Sequence, residues 1–158
     1  MSAKTELTIS RLIAAPPAAV WNAWSVPENL EKWWIPAPII CRVDTLDLRP
    51  GGGFVTRMRE EGATDFQPHV DGCFLEVVPE EKIVFTTVLN EGWQPADPWL
   101  ALTAILTFAP QDGGTLYAAR VLHKNPEDSS KHEEMGFHDG WGTVLEQLAA
   151  LLERPDGR

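Results

Sequence analysis

Residues 70–89 read VDGCFLEVVPEEKIVFTTVL. Two runs rich in β-branched and aromatic residues, at 70–78 and 82–89, are separated only by Pro79, Glu80 and Glu81. Runs of this composition, bounded by a short turn, are typical of antiparallel β-strands joined in a hairpin. We therefore expect two adjacent strands in this stretch.

The same alternation of short apolar runs and turn residues extends on both sides of this hairpin. Further strands are predicted at residues 5–13, 39–48, 54–60, 100–108 and 115–122. After residue 39 the connections are short, except for the loop at 90–98, and short connections favour pairing between strands that are neighbours in the sequence. The pattern predicts a seven-stranded antiparallel sheet.

Two short helices are predicted between the first and second strands. The first begins at Pro17, because proline is tolerated in the first turn of a helix, and it carries Trp24 on its apolar side. Ser25, followed three residues later by Glu28, fits a capping box. The second helix is therefore expected to begin at Ser25 and to run toward Trp33-Trp34.

A long C-terminal helix is predicted from Asn125 to Arg154. Asn125 suits the N-cap position and Pro126 the first helical position. Residues at helical spacing after this start form one apolar face. They are Phe137, Trp141, Leu145, Leu148 and Leu152.

These elements indicate an α+β fold in one domain over residues 1–158. A curved antiparallel sheet of seven strands, with two short helices, needs cover on its concave side, and the long C-terminal helix is the element able to provide it. One helix cannot fill the whole concavity. The remaining space between sheet and helix is the default position for a ligand-binding cavity.

Several segments, in this order and spacing, resemble the activator-of-heat-shock-protein-ninety-ATPase-like domains of the START/birch-pollen-allergen (SRPBCC) superfamily, also called polyketide cyclase-like. The segments are Ala15-Pro16-Pro17-Ala18-Ala19-Val20-Trp21 with Pro27 and Trp33-Trp34, Pro50-Gly51-Gly52, residues 72–79, Gly113-Gly114-Thr115 and Gly140-Trp141. The resemblance spans nearly the whole chain. It implies a helix-grip fold, in which the sheet and the C-terminal helix enclose a cavity.

Composition limits the classes of partner. The formal net charge of -10 and the pI near 4.8 disfavour nucleic acids and anionic lipid surfaces. The longest apolar stretches are too short to cross a membrane, and the N-terminus lacks a signal-peptide pattern, so we expect a cytoplasmic protein. Cys41 and Cys73 form no disulfide framework. The sequence predicts no cofactor and leaves homodimerisation open.

The alternation of the strands, together with the apolar pairs of the family, places Phe54, Met58 and Phe85 on the face toward the helix. A slip of one residue would exchange the two faces and turn Arg57 and Arg59 inward. The predicted ligand-binding walls are Trp33, Phe54, Met58, Phe85, Trp99, Tyr117, Phe137 and Trp141. Trp99 flanks the longest loop, where a gate or a dimer contact would also be expected.

Two ionisable residues, Glu134 and His138, are spaced i and i+4 near the apolar face of the predicted helix. A buried carboxylic acid beside an imidazole could exchange protons with an enolisable substrate, whereas the alternative is an ordinary solvated pair. His132 and His138 lack the i,i+4 spacing of a zinc site, so no metal is predicted. His69 is interpreted as a turn residue.

Three functions remain open from the sequence. The leading hypothesis is binding of a small hydrophobic or aromatic molecule in the cavity, with Glu134, His138 and Tyr117 as polar anchors. The first alternative is a polyketide cyclase- or dehydratase-like enzyme that uses Glu134 and His138. The second is a stress-related, co-chaperone-like protein, which predicts a large exposed apolar patch instead of an enclosed cavity.

Overall fold

In a computed structural model that describes residues 4–153, the chain folds around a seven-stranded antiparallel sheet. The predicted hairpin forms, with Val78 opposite Lys82 and Val77 opposite Ile83. The strands are β1 Glu6–Ile13, β2 Ile40–Leu46, β3 Gly53–Arg59, β4 Gln67–Val78, β5 Lys82–Thr86, β6 Leu89–Asn90, β7 Gln94–Pro95, β8 Leu102–Gln111 and β9 Gly114–His123. The order in the large sheet is β1-β9-β8-β5-β4-β3-β2, and β6 pairs with β7 separately.

Four α-helices accompany the sheet: α1 Pro17–Ser25, α2 Pro27–Leu30, α3 Pro126–Glu134 and α4 Phe137–Leu152. The predicted α+β class and helix-grip architecture are confirmed. The predicted capping box is wrong, because Ser25 is the last residue of α1 and Val26 precedes α2 without a side-chain cap. The predicted helix end at Arg154 lies outside the described residues.

The C-terminal helical segment is interrupted, which corrects the prediction of one continuous helix. Gly136 separates α3 from α4 and has a φ of 101°. Glycine adopts this left-handed conformation without the steric penalty that a Cβ atom would bring. The break lets α3 leave the axis of α4, so residues before and after Gly136 no longer follow a single helical projection.

The predicted N-cap at Asn125 is confirmed, since its side-chain oxygen accepts a hydrogen bond of 2.8 Å from the backbone N–H of Asp128. Replacing Asn125 with alanine is expected to lower the free energy of unfolding by about 1 kcal/mol, because one helix-end N–H loses its partner. Chemical unfolding would measure this. Asn125→Asp, which keeps an acceptor, should stay close to the wild type; equal losses in both variants would contradict the capping role.

The register of β3 settles which face its arginines occupy. Phe54 and Thr56 are fully buried, whereas Arg57 pairs with Asp44 and Arg59 donates to the carbonyl of Ala63 on the outer side. The register slip that would turn the arginines inward does not occur. The inner face of the sheet is consequently free of cationic side chains along this strand.

The middle of the concave side is filled by packed aromatic side chains. Trp24 is fully buried and lies 5.8 Å, 4.9 Å and 5.5 Å, between ring centroids, from Trp33, Trp34 and Phe54. Its Nε1 donates to the hydroxyl of Tyr117 at 3.1 Å. This part of the interior is solid core, and an open space lies toward one end of the sheet.

Polar side chains of α4 fix the helix against the rest of the domain. Gln147 donates to the carbonyls of Trp33 and Ile35, at 3.0 Å each, and accepts from the N–H of Ala37 at 2.7 Å. On the opposite side, Arg11 of β1 pairs with Glu146 at 2.6 Å. These contacts hold α4 at a defined distance from the segment that carries Trp34.

Candidate ligand-binding cavity

A cavity of about 490 Å³ lies between the sheet, the loop at 96–100 and the two C-terminal helices. This volume is within the range of small-molecule sites. Trp99 and Met135 line it and are 70% and 51% exposed, which places them at its mouth. The residues that line the cavity include Trp34, His69, Asp71, Phe85, Thr87, Asn90, Asp97, Trp99, Leu100, Leu102, His132, Met135, Phe137, Gly140, Trp141 and Val144.

The first turns of α4 supply one wall. Phe137, Gly140, Trp141 and Val144 line the cavity at spacings of i, i+3, i+4 and i+7, which places them on one helix face. Phe137 and Trp141 lie 5.4 Å apart between ring centroids, with their planes tilted by 32°. Gly140 leaves open space on this face, since a Cβ atom there would meet nothing within 4 Å.

Trp34 forms the wall opposite α4, in the segment that Gln147 holds in place. Its ring lies 6.2 Å from Trp141 and 6.1 Å from Phe85, in edge-to-face geometry. Aromatic pairs favour such arrangements because the positive ring edge meets the negative face. Within residues 4–153, Trp34 Nε1 is the single buried side-chain nitrogen or oxygen atom without a hydrogen-bond partner.

His69 of β4 reaches the cavity from the sheet. Its Nδ1 lies 2.9 Å from the hydroxyl of Thr56, which also accepts the N–H of Val70 at 3.2 Å. Burial lowers the pKa of His69 to about 4, because the charged imidazolium loses hydration. The ring is therefore neutral near pH 7, and its Nε2 has no hydrogen-bond partner in the described part of the chain.

His132 of α3 reaches the cavity from the helical side. Its Nδ1 lies 2.9 Å from Nε2 of His123, whose own Nδ1 lies 3.0 Å from the carbonyl oxygen of Thr5. Burial, followed by the effect of the His123 charge, lowers the pKa of His132 to about 4. The ring of Phe137 packs edge-on against it at 5.1 Å.

The structure brings only part of the predicted wall together. Phe85, Trp99, Phe137 and Trp141 line the cavity. The other predicted wall residues are absent from the lining: Trp33, Phe54 and Tyr117 are buried in the solid core, and Met58 is half-buried against that core. Phe54 faces inward as predicted but packs against the indoles of Trp24 and Trp34. Tyr117 likewise faces inward but contacts Trp24 and Trp33.

The predicted polar anchors do not meet in the cavity. Glu134 and His138 are both exposed, and His138 lies 3.4 Å from Glu133 instead. The reason is the helix break at Gly136. Glu134 ends α3 and His138 belongs to α4, so the two residues do not lie on one face of a continuous helix. Tyr117 is fully buried, its hydroxyl is used by Trp24, and burial raises its pKa.

Sequence reasoning missed the two histidines that line the cavity. The sequence pattern predicts a turn at His69, whereas β4 begins two residues earlier, at Gln67. Alternation alone would place His69 on the face opposite Phe74, the partner of Phe85. His69 is the residue left unpaired where the register between β3 and β4 shifts, and the sequence carries no signal for that irregularity. No local signal marks His132, since its position depends on the turn at Gly136.

Within residues 4–153, no group of three or more histidine, cysteine, aspartate or glutamate side chains is arranged to hold a metal ion. None of the helices described in this range has both the length and the apolar character needed to cross a membrane.

Similarity to known proteins identifies the family of this chain. A comparison with curated proteins finds no match in sequence. Among solved structures, a protein of Nitrosomonas europaea is similar at 39% identity and a TM-score of 0.87, with 100% of each chain covered. A protein of Mycobacterium smegmatis is similar at 27% identity and a TM-score of 0.78, covering 94% of this chain and 90% of that one.

An activator of Hsp90 ATPase homolog 1-like (AHSA1-like) protein from Aeromonas hydrophila shares the fold, at 19% identity and a TM-score of 0.73, with 94% of this chain and 92% of that chain covered. The family model described as "Activator of Hsp90 ATPase homolog 1-like protein" matches residues 14–153. The resemblance found in the sequence is confirmed by this match. The chain therefore belongs to the family of activator of Hsp90 ATPase homolog 1-like proteins.

Proposed function

We propose that the protein binds a small apolar or aromatic molecule in the cavity. The observation that supports this is a void of about 490 Å³ beside an otherwise filled interior. Protein interiors are close-packed, and a void forfeits dispersion contacts along its whole lining. A ligand restores those contacts and removes the apolar wall from water.

The walls favour an aromatic ligand over a flexible aliphatic one. Trp34, Phe137 and Trp141 form a continuous row of rings, with centroid separations of 6.2 Å and 5.4 Å. Flat ligands gain both buried area and edge-to-face contacts against such rings. Phe85 closes the row on the side of the sheet.

An acid–base enzyme is less well supported. A cyclase- or dehydratase-like reaction needs a proton acceptor of suitable strength at the substrate. The lowered pKa values, about 4 for both His69 and His132, make these imidazoles weak bases near neutral pH. Glu134 and His138 are exposed.

No specific contact favours the co-chaperone alternative. Cytoplasmic location and the exclusion of nucleic acids and membranes stay predictions, and the sequence leaves homodimerisation open.

Replacing Gly140 with leucine is expected to weaken binding of 2-ethylnaphthalene by about tenfold or more, a loss of about 1.4 kcal/mol or more. The leucine side chain enters the open space on the cavity face of α4, which the ligand would otherwise occupy. Equilibrium dialysis with fluorescence detection of the naphthalene would measure this. Chemical unfolding should show that the variant remains folded, since leucine favours helix over glycine by up to about 1 kcal/mol.

Gly142→Ala is the matched control on the same helix. Its Cβ would lie 3.6 Å from Cδ1 of Ile9, an ordinary contact, and Gly142 does not line this cavity. This variant should gain helix stability and keep the wild-type affinity. A folded Gly140→Leu protein with undiminished affinity would contradict the proposed site, and absence of binding to the wild type would count against binding of this ligand class.

A further inference from the structure

The hydrogen bonds around His69 fix which of its nitrogens carries the proton. The buried Thr56 hydroxyl accepts the N–H of Val70, so the other contact of that hydroxyl, Nδ1 of His69, must receive its hydrogen. Any other arrangement would leave the hydroxyl hydrogen buried without a partner. A neutral imidazole has one N–H. In His69 that N–H is therefore on Nε2. The sheet end of the cavity thus presents a hydrogen-bond donor to a ligand.

The chain of contacts around His132 gives the opposite result. The carbonyl of Thr5 can only accept, so the Nδ1 of His123 is the donor in that contact. Nε2 of a neutral His123 then accepts, and Nδ1 of His132 donates to it. The remaining nitrogen, Nε2 of His132, holds a lone pair. The helical end of the cavity is an acceptor.

Two further polar side chains of the wall, Thr87 and Asn90, have hydrogen-bond partners within the protein. The Thr87 hydroxyl donates to the carbonyl of Leu100 and accepts the N–H of Leu102, both at 3.0 Å. The amide nitrogen of Asn90 donates to Asp71 at 3.1 Å. The ring nitrogens of the cavity wall that have no protein partner are therefore Nε2 of the two histidines and the indole N–H of Trp34, a further donor near His69.

The surroundings favour a ligand without charge. No lysine or arginine lines the cavity in the part of the chain that the structure describes. Its carboxylates, Asp71 and Asp97, are exposed and therefore solvated at the mouth. Moving a charged group from water to an apolar wall without a partner is strongly unfavourable.

We infer that the ligand is a neutral aromatic compound with a hydrogen-bond acceptor, such as a carbonyl oxygen, facing Nε2 of His69 and a hydrogen-bond donor, such as a hydroxyl group, facing Nε2 of His132. This inference rests on the proposed function, since it assigns the polarity of the same cavity. The row of rings formed by Trp34, Trp141 and Phe137 connects the two histidines, with Trp34 6.3 Å from His69 and Phe137 5.1 Å from His132. The apolar body of the ligand lies along this row.

The helical end is tested with 2-naphthol and 2-methoxynaphthalene, which differ in the ability to donate a hydrogen bond. At pH 8 the wild type should bind 2-naphthol about fivefold more tightly, the range of one neutral hydrogen bond. His132→Asn keeps an amide near the position of Nδ1 but removes the Nε2 acceptor, so the preference should disappear. His132→Gln carries an amide oxygen near Nε2 and should retain part of it.

The sheet end is tested with 2-acetylnaphthalene and 2-ethylnaphthalene, which are close in size and differ in the carbonyl acceptor. The wild type should prefer the acetyl compound by about fivefold. His69→Asn, which keeps the contact to Thr56 and loses the Nε2 donor, should abolish this preference. His69→Gln, with an amide N–H near Nε2, should retain part of it.

The outcomes separate the two proposals. If 2-ethylnaphthalene binds but the wild type shows neither preference, or if His69→Asn and His132→Asn keep both preferences, the assigned polarity is wrong and the cavity remains a binding site. If none of the four naphthalenes binds, the proposed function itself fails. The comparison of ligands in the wild type needs no variant, so it holds even if a variant does not fold.

Discussion

Replacing Trp24 with alanine is expected to lower the free energy of unfolding by about 4 kcal/mol, the range for removing a large buried aromatic side chain. Trp24 has no exposed surface and its ring contacts Trp33, Trp34 and Phe54. The substitution also leaves the buried hydroxyl of Tyr117 without the indole N–H. Because small domains are stable by only about 5–15 kcal/mol, this loss is a large share of the total.

Denaturant unfolding followed by circular dichroism would measure the loss as a shift of the transition midpoint. Trp99→Ala is the matched control, since the same chemical change is made at an indole that is 70% exposed. Its effect should stay near about 0.5 kcal/mol, the range for surface substitutions. Equal effects at the two positions would show that the aromatic core around Trp24 does not dominate stability.

Lowering the pH from 7 to 5 is expected to reduce the free energy of unfolding by about 2 kcal/mol through His69. Burial lowers the pKa of this imidazole to about 4 in the folded protein, from an ordinary value of 6.5. Between these two values the unfolded chain binds the proton and the folded protein does not. The contribution of His69 is therefore present above pH 6.5 and is lost as the pH falls toward 4. The pKa of His132 is lowered in the same direction.

Unfolding titrations at pH 7, 6 and 5 would measure this dependence. His69→Asn should flatten it by about the amount assigned to His69. Hydrogen bonds to arginine lower the pKa values of Glu6, Asp44 and Glu146. These carboxylates therefore affect the free energy of unfolding mainly below pH 5, outside the range of the titrations. An unchanged slope in His69→Asn would contradict the assignment of a buried neutral imidazole.

Much of the fold could be predicted from the sequence because its signals are local. The hairpin at 70–89 forms with the expected pairing, and Phe54 and Phe85 face the interior as alternation predicts. Asn125 caps α3 as its side chain and the following proline indicate. Each of these features depends on residues within a few positions of one another.

The candidate site was harder to predict because its geometry depends on distant contacts. The projection that joined Glu134 to His138 assumed one straight helix, and a single left-handed residue, Gly136, invalidates it. The same break places His132 beside Phe137 on the cavity wall. A glycine within a helical pattern does not by itself reveal whether the helix continues.

The sequence alone determined the order of the elements, the inward face of the strands and the family, since period, turn chemistry and motif spacing are carried by the chain itself. Only the tertiary structure decided where the cavity lies and what polarity it has. The cavity is the space that the side chains of Trp24 and Trp34 leave unfilled. The hydrogen bond to Thr56 decides which nitrogen of His69 carries the proton, and the contacts of His123 with His132 and Thr5 decide this for His132. These partners lie on other strands or helices or in the N-terminal segment, so packing, which local patterns do not encode, brings them together.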